Sequence, residues 1–214
     1  MTVQPALGFR DGIVFLLTAF LVGSALDPQD FLTWVLEVFW VAGAIVLWAV
    51  WLRRVRCTRI VFWALILHSV VLIVGGIYTY SLVPAGAWMQ ELLARPRNDY
   101  DRLGHFMQGF APALLWREVF LRNAIVRGRG WLFVIVNGMC LAFAAAFELL
   151  EFAVAMILGE ASWAYLGSQG DIWDAQWDML FCVIGANAAL LTLGPVQDRE
   201  MRGEAARSAG VTPP

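Results

Sequence analysis

Lysine is missing altogether: the 15 basic residues are all arginine, which excludes a Schiff base or a lysine nucleophile. Charge of either sign is scarce, at 15% of the chain, and there are only three cysteines and two histidines. Cys57, Cys140 and Cys182 form neither a CxxC pair nor an even set. They support no disulfide framework and no thiolate zinc site, and read as small buried side chains. A small-residue cleavage pattern after the first apolar run is also missing, so that run reads as a retained helix rather than a signal peptide. What the chain has in abundance is apolar surface. It is 60% hydrophobic with 11 Trp in 214 residues, and its mean hydropathy is +0.68. Such a composition belongs in a bilayer.

A membrane-spanning helix needs about 20 mostly apolar residues. The expected fold is an all-α polytopic transmembrane helical bundle of about six spans, near 12–26, 31–52, 60–83, 103–121, 131–158 and 179–193. Residues 1–196 read as one helical domain without internal repeats, and 197–214 as a polar tail without fixed structure. By parity Arg10, the basic loops around Arg53–Arg59 and Arg122–Arg129, and the tail arginines share one face. The positive-inside rule makes that face cytoplasmic, with both termini. The opposite face collects most of the acids, with Arg95, Arg97 and Arg102 as its cations.

Ionisable residues inside apolar runs default to function, because burying them uncompensated is expensive. Asp101 and His105, four apart, share a helical face near the outer end of the fourth run. Glu148 lies about 25 Å along the fifth, counted at 1.5 Å per residue, and shares a face with Glu151. Asp174 and Asp178 share another face at the entrance to the sixth, preceded by the turn-rich stretch containing Asp171. Three helices thus bring acids and an imidazole to one depth. The expected ligands of a divalent cation such as Mg²⁺, Mn²⁺ or Zn²⁺ are His105, Glu148, Glu151, Asp174 and Asp178. His105, Asp101 and Glu148 are the candidate catalytic residues; Arg102, Asp171 and His68 are candidates for holding substrate. The competing structural reading has Asp99, Asp101 or Asp174 capping helices and Glu148 pairing with Arg102 or Arg117. Arg117 and Glu118 need only each other or snorkelling. Gly75 and Gly76 read as a close helix approach, with Tyr78 and Tyr80 at the membrane interface.

These residues carry a resemblance. His68 with GGIYTY, then YDRLGHFMQGFAPALLWREVFLR, FELLEF and GSQGDIWDAQWDM resemble the YjdF-like family of bacterial inner-membrane proteins, a family of unknown function. The resemblance implies a bacterial inner-membrane location. A looser likeness is to the VanZ-like membrane proteins, whose Asp–Lys–x–x–His–Phe, Glu–x–x–Gln and Asp–x–x–x–Asn–x–x–Gly patterns align with Asp101–Phe106, Glu148–Glu151 and Asp178–Gly185. Here Arg102 replaces Lys, Glu151 replaces Gln, and Cys182 replaces Asn. That likeness implies envelope or lipid-linked chemistry.

Three functions compete. One is a metal-assisted hydrolase or transferase acting on a membrane lipid or lipid-linked headgroup at the outer leaflet. The second is a small ion or solute transporter or sensor. The third is an assembly partner for another membrane protein. No nucleic acid is expected as a partner, and neither the metal nor the oligomeric state follows from the residues.

Overall fold

The computed structural model describes residues 8–52, 57–159 and 168–208, in which every regular element is a helix. In chain order they form α1 (Phe9–Ser24), α2 (Phe31–Leu47), α3 (Arg59–Tyr78), α4 (Pro84–Leu92), α5 (Tyr100–Arg122), α6 (Arg129–Leu158), α7 (Asp174–Thr192) and α8 (Gly194–Ser208). A π-helical turn, Trp48–Leu52, extends α2. Local chemistry sets the starts. The Asp30 carboxylate accepts the Thr33 amide at 2.6 Å to begin α2, the Thr58 hydroxyl takes the Val61 amide to begin α3, and Pro84 opens α4 where its missing N–H costs nothing.

Four helical stretches among the described residues are long and apolar enough to cross a membrane: Phe31–Val50, Arg59–Tyr78, Arg129–Leu158 and Asp174–Thr192. The expectation of six spans is therefore corrected to four. The first run forms a helix of only 16 residues, roughly 24 Å against a hydrocarbon core of about 30 Å. The fourth run forms α5, which has 23 residues, but its Asp101, Arg102, Arg117, Glu118 and Arg122 make it too polar to meet lipid. Most exposed apolar side chains lie instead on the other helices, among them Leu141, Leu149, Phe152, Ile157 and Leu191, although Leu103 of α5 is exposed too.

Polar α5 is the axis of the bundle. It packs most extensively on α7, and also on α3 and α6. Small residues let α5 and α7 touch backbone to backbone: a Cβ on Gly109 would fall on the Cys182 carbonyl, and one on Gly185 would fall on the Phe106 carbonyl. Ala113, Cys182, Ala186 and Ala189 continue this seam, fully buried. In a bilayer, where apolar side chains gain nothing by leaving lipid for protein, such close packing is what holds helices together.

At one end of the bundle, Glu118 joins three elements. Its carboxylate accepts the Thr58 amide at 2.9 Å and hydroxyl at 2.6 Å, Arg122 Nε at 2.8 Å and Gln197 Nε2 at 3.1 Å. Arg117 pairs with Asp198 at 2.5 Å rather than with Glu118, Arg122 with Glu204, and Arg10 donates to the Cys57 carbonyl. The stretch expected to lack structure from Gln197 is thus helical as far as Ser208, held by these pairs; residues 209–214 lie outside the described part. The three cysteines are free and buried, as expected.

The other end of α3 turns back on itself. Thr79 and Tyr80 adopt left-handed backbone at φ 54° and 52°, which swings the Tyr80 ring into a slot between Gly75 of α3 and Gly104 of α5. Gly75 therefore accommodates a tyrosine rather than a helix, and Tyr80 is buried, 5% exposed, instead of lying at a membrane interface. Gly76 does serve close approach, against Val38 of α2.

Gly185→Leu should lose folded protein, since the colliding atoms are backbone and cannot yield. Gly138→Ala, with nothing within 4 Å of the added carbon, should change stability by no more than about 1 kcal/mol, upward if at all. Melting and gel filtration of both variants in one detergent measure this; an unaltered Gly185→Leu would contradict the seam.

Candidate functional site

Around the start of α5, the loop after α4 and the residues before α7 are knitted together. Asn98 and Gln169 bond reciprocally, amide to side chain and side chain to carbonyl, both at 2.9 Å. Asn98 also donates to the Ser81 and Val83 carbonyls at 3.0 Å. This latch fixes the neighbouring Arg97, 5% exposed, which hydrogen-bonds Asp174 and stands 3.7 Å from Asp171 and 3.8 Å from Asp101. Burial alone pulls the Arg97 guanidinium towards neutrality. The Asp174 hydrogen bond and the charges of Asp174, Asp101 and Asp178 outweigh it and hold the pKa above its ordinary value. Arg102 bridges Asp99 at 2.9 Å and Asp171 at 2.8 Å, with its guanidinium over the Trp177 ring at 5.5 Å.

Inside this charged rim lies the imidazole. His105 Nδ1 meets Gln108 Oε1 at 2.8 Å, which aims Nε2 at the acids: Glu148 Oε1 at 3.5 Å and Asp101 Oδ1 at 3.8 Å. Phe147 packs edge-on against the ring. Asp101, His105 and Asp178 each present a ligand atom, all within 4.8 Å of one another. Donors that share one cation at about 2.0–2.2 Å each stand no more than about 4.4 Å apart, so the set would draw in slightly around an ion. Buried Glu148 Oε1 and Asp178 Oδ1 have no hydrogen-bond partner, and an orphaned carboxylate oxygen at such depth is available to a ligand. The cluster is a buried Asp/His/Asp set able to coordinate a metal.

Of the expected site residues, Asp101, His105, Glu148 and Asp178 converge. Asp174 is committed to Arg97, so as a metal ligand it would have to give up that partner. Glu151 is half-buried on α6 and close enough to interact with the charges of Glu148, Asp101, Glu37 and Asp178, but stands outside the ligand set. Arg102 and Asp171 pair with each other at the rim. His68 lines a cavity next to the cluster, with a buried Nε2 that has no partner. The capping alternative takes other residues than expected: Asp99, at the N-cap of α5, makes no side-chain cap, while Asn98 Oδ1 accepts the Tyr100 amide at 3.0 Å and Asp171 Oδ1 accepts the Trp173 amide at 2.9 Å; Glu148 meets His105 rather than an arginine.

Four residues are new to the site. Glu37 of α2 is 5% exposed and shares a hydrogen bond with the Tyr80 side chain; Gln108 orients His105; Arg97 anchors the acids. Glu37 was readable, as the one ionisable residue within the second apolar run. Gln108 and Tyr80 carried no sequence signal beyond polarity.

A multi-pass helical membrane protein whose polar axis ends in a buried potential metal-ligand set is the class this geometry defines. Residues 10–199 match the family described as "Predicted membrane protein (DUF2238)". The chain is also 39% identical over 186 residues to the inner membrane protein YjdF of Escherichia coli (strain K12), covering 87% of this chain and 89% of that protein. The chain belongs to this YjdF-like family of inner-membrane proteins. No solved structure matches it.

Removing Arg97 should leave Asp174 buried without its partner. Arg97→Gln is expected to destabilise the fold by roughly 3–5 kcal/mol, the usual effect of breaking one side of a buried pair. Arg95→Gln, whose side chain is 45% exposed, should leave the melting temperature nearly unchanged. Denaturant or thermal melts of the two variants, compared directly, check the difference.

Proposed function

We propose that the protein is a metal-assisted hydrolase or transferase acting on the polar headgroup of a lipid or lipid-linked substrate at the outer membrane face. The observation that carries this is the convergence of Asp101, His105 and Asp178 within 4.8 Å, backed by the orphaned oxygens of Glu148 and Asp178. A divalent cation held there supplies Lewis-acid chemistry. His105 is oriented for ligation by Gln108, as a metal histidine is by its outer hydrogen bond. Glu148, 3.5 Å from the imidazole, is placed to take a proton from the attacking group. The buried rim of Arg97 and Arg102 bounds the site towards the loops.

The opposite end supports the outer-face reading. Arg10, Arg59, Arg117 and Arg122 gather around the Glu118 junction, and the positive-inside rule puts a basic end, with both termini, in the cytoplasm. Transport is the weaker reading. The polar groups at the basic end bond to one another, and the cavity beyond His105 runs on to Leu65, Ala44 and Pro112, which offer an ion no path.

Two measurements test this. Purified protein should contain a divalent metal, and His105→Ala and Asp178→Asn should each lose it while keeping a melting temperature within a few degrees of wild type. Unchanged metal content with a collapsed melting temperature would make the cluster structural. Reporter fusions after residues 56 and 127 should both read cytoplasmic; a periplasmic signal from either overturns the orientation.

A further inference from the structure

A cavity of about 150 Å³ opens beside the metal-ligand set, between α2, α3, α5 and α6. An engineered apolar cavity of this size holds a molecule as large as benzene. The ionisable residues in its wall are Glu37, Asp101, His68, His105 and Tyr80, with no arginine among them. Its aromatic wall is Trp40, Phe143 and Phe147, with Trp40 4.7 Å from the Phe143 ring and 6.2 Å from the Phe147 ring. The buried Trp40 Nε1 and His68 Nε2 both lack a hydrogen-bond partner. The wall thus offers a carboxylate on α2, aromatic faces, and one N–H donor with nothing to bind.

We infer that this cavity binds a small alkylammonium group carrying an oxygen acceptor, the chemistry of an amino-alcohol headgroup. The ammonium faces Glu37 and the aromatic rings, which attract cations through their quadrupoles. The oxygen accepts from Trp40 Nε1. An anion finds no cationic partner in the wall, and a plain hydrocarbon leaves Trp40 Nε1 and His68 Nε2 unsatisfied. Even with a divalent cation bound at Asp101, His105 and Asp178, no arginine shares the cavity wall with Glu37, so a second positive group is accommodated there. The inference names the substrate class for the site proposed above and rests on that reading only for the claim of turnover; binding of the amine does not depend on the metal.

The experiment is equilibrium binding to purified full-length protein in detergent, with ethanolamine, ethylene glycol and a short-chain phosphatidylethanolamine as probes and the matching phosphatidylglycerol as control. Saturable binding of ethanolamine, at least tenfold tighter than ethylene glycol, supports a free amine as ligand. Binding of the phosphatidylethanolamine but neither ethanolamine nor phosphatidylglycerol supports a lipid headgroup. In either case Glu37→Gln should weaken binding at least tenfold and Trp40→Phe severalfold, while Asp178→Asn, depleted of metal, still binds. No preference for the amine probes, or wild-type affinity in a folded Glu37→Gln variant, overturns the inference. Trp40→Phe keeps an aromatic face while removing the donor, and the variant's melting temperature separates lost recognition from lost packing. Loss of metal without loss of amine binding would leave this inference standing if the metal reading failed, and the reverse result would do the opposite.

Discussion

The constraint on which everything else depends is that α5 cannot face lipid. It carries acids, bases, an imidazole and an amide along its length, and each would cost several kcal/mol exposed to hydrocarbon without a partner. The fold answers by walling α5 with more apolar helices and giving its polar side chains partners at both ends. At the basic end Glu118 is surrounded by donors from α3, α5 and α8. At the acidic end the partners are incomplete, and carboxylate oxygens remain unbonded among themselves.

That asymmetry separates structure from chemistry. Both ends bury charge, yet Glu118 accepts from the backbone, a hydroxyl, a guanidinium and an amide, so nothing is left for a ligand to do. At the acidic end Arg97 and Arg102 bond chiefly to Asp99, Asp171 and Asp174, leaving Asp178 and Glu148 without an arginine at hydrogen-bond distance beside His105, and Glu37 in the cavity wall. Like-charged groups held so close raise the energy of the ligand-free state, and a cation relieves it. The backbone contact at Gly109 and Gly185 brings Asp178 of α7 to His105 of α5, which explains why a residue with no chemistry of its own controls the site.

The sequence made the bundle and much of this site legible, because the signals were local ones. Apolar runs mark helices, and an acid inside such a run marks a buried function, so Asp101, His105, Glu148 and Asp178 could be grouped from helical periodicity and depth alone. The number of membrane-crossing helices was less legible. Apolar length overstated α1, and the count treated α5 as an ordinary span although its charges require protein beside them. Partner choice was illegible: Arg117 sits next to Glu118 but pairs with Asp198 on α8, which reads in isolation as a polar tail. Tyr80 was misplaced because aromatic side chains usually mark interfaces, whereas the left-handed turn at Thr79 and Tyr80 directs this ring inward.

Glu37 shows how the two kinds of information combine. From sequence it is one carboxylate in an apolar helix, with no periodic companion on α2 to suggest a site. Only the packing of α2 on α3, with Val38 against Gly76, brings it to Tyr80 and the cavity wall. Since Tyr80 is itself held by Gly75 and Gly104, the position of Glu37's partner depends on two glycines in different helices. The GGIYTY and DRLGH segments are therefore one structural unit, in which the first builds the cavity wall and the second supplies the imidazole and the acid that share it.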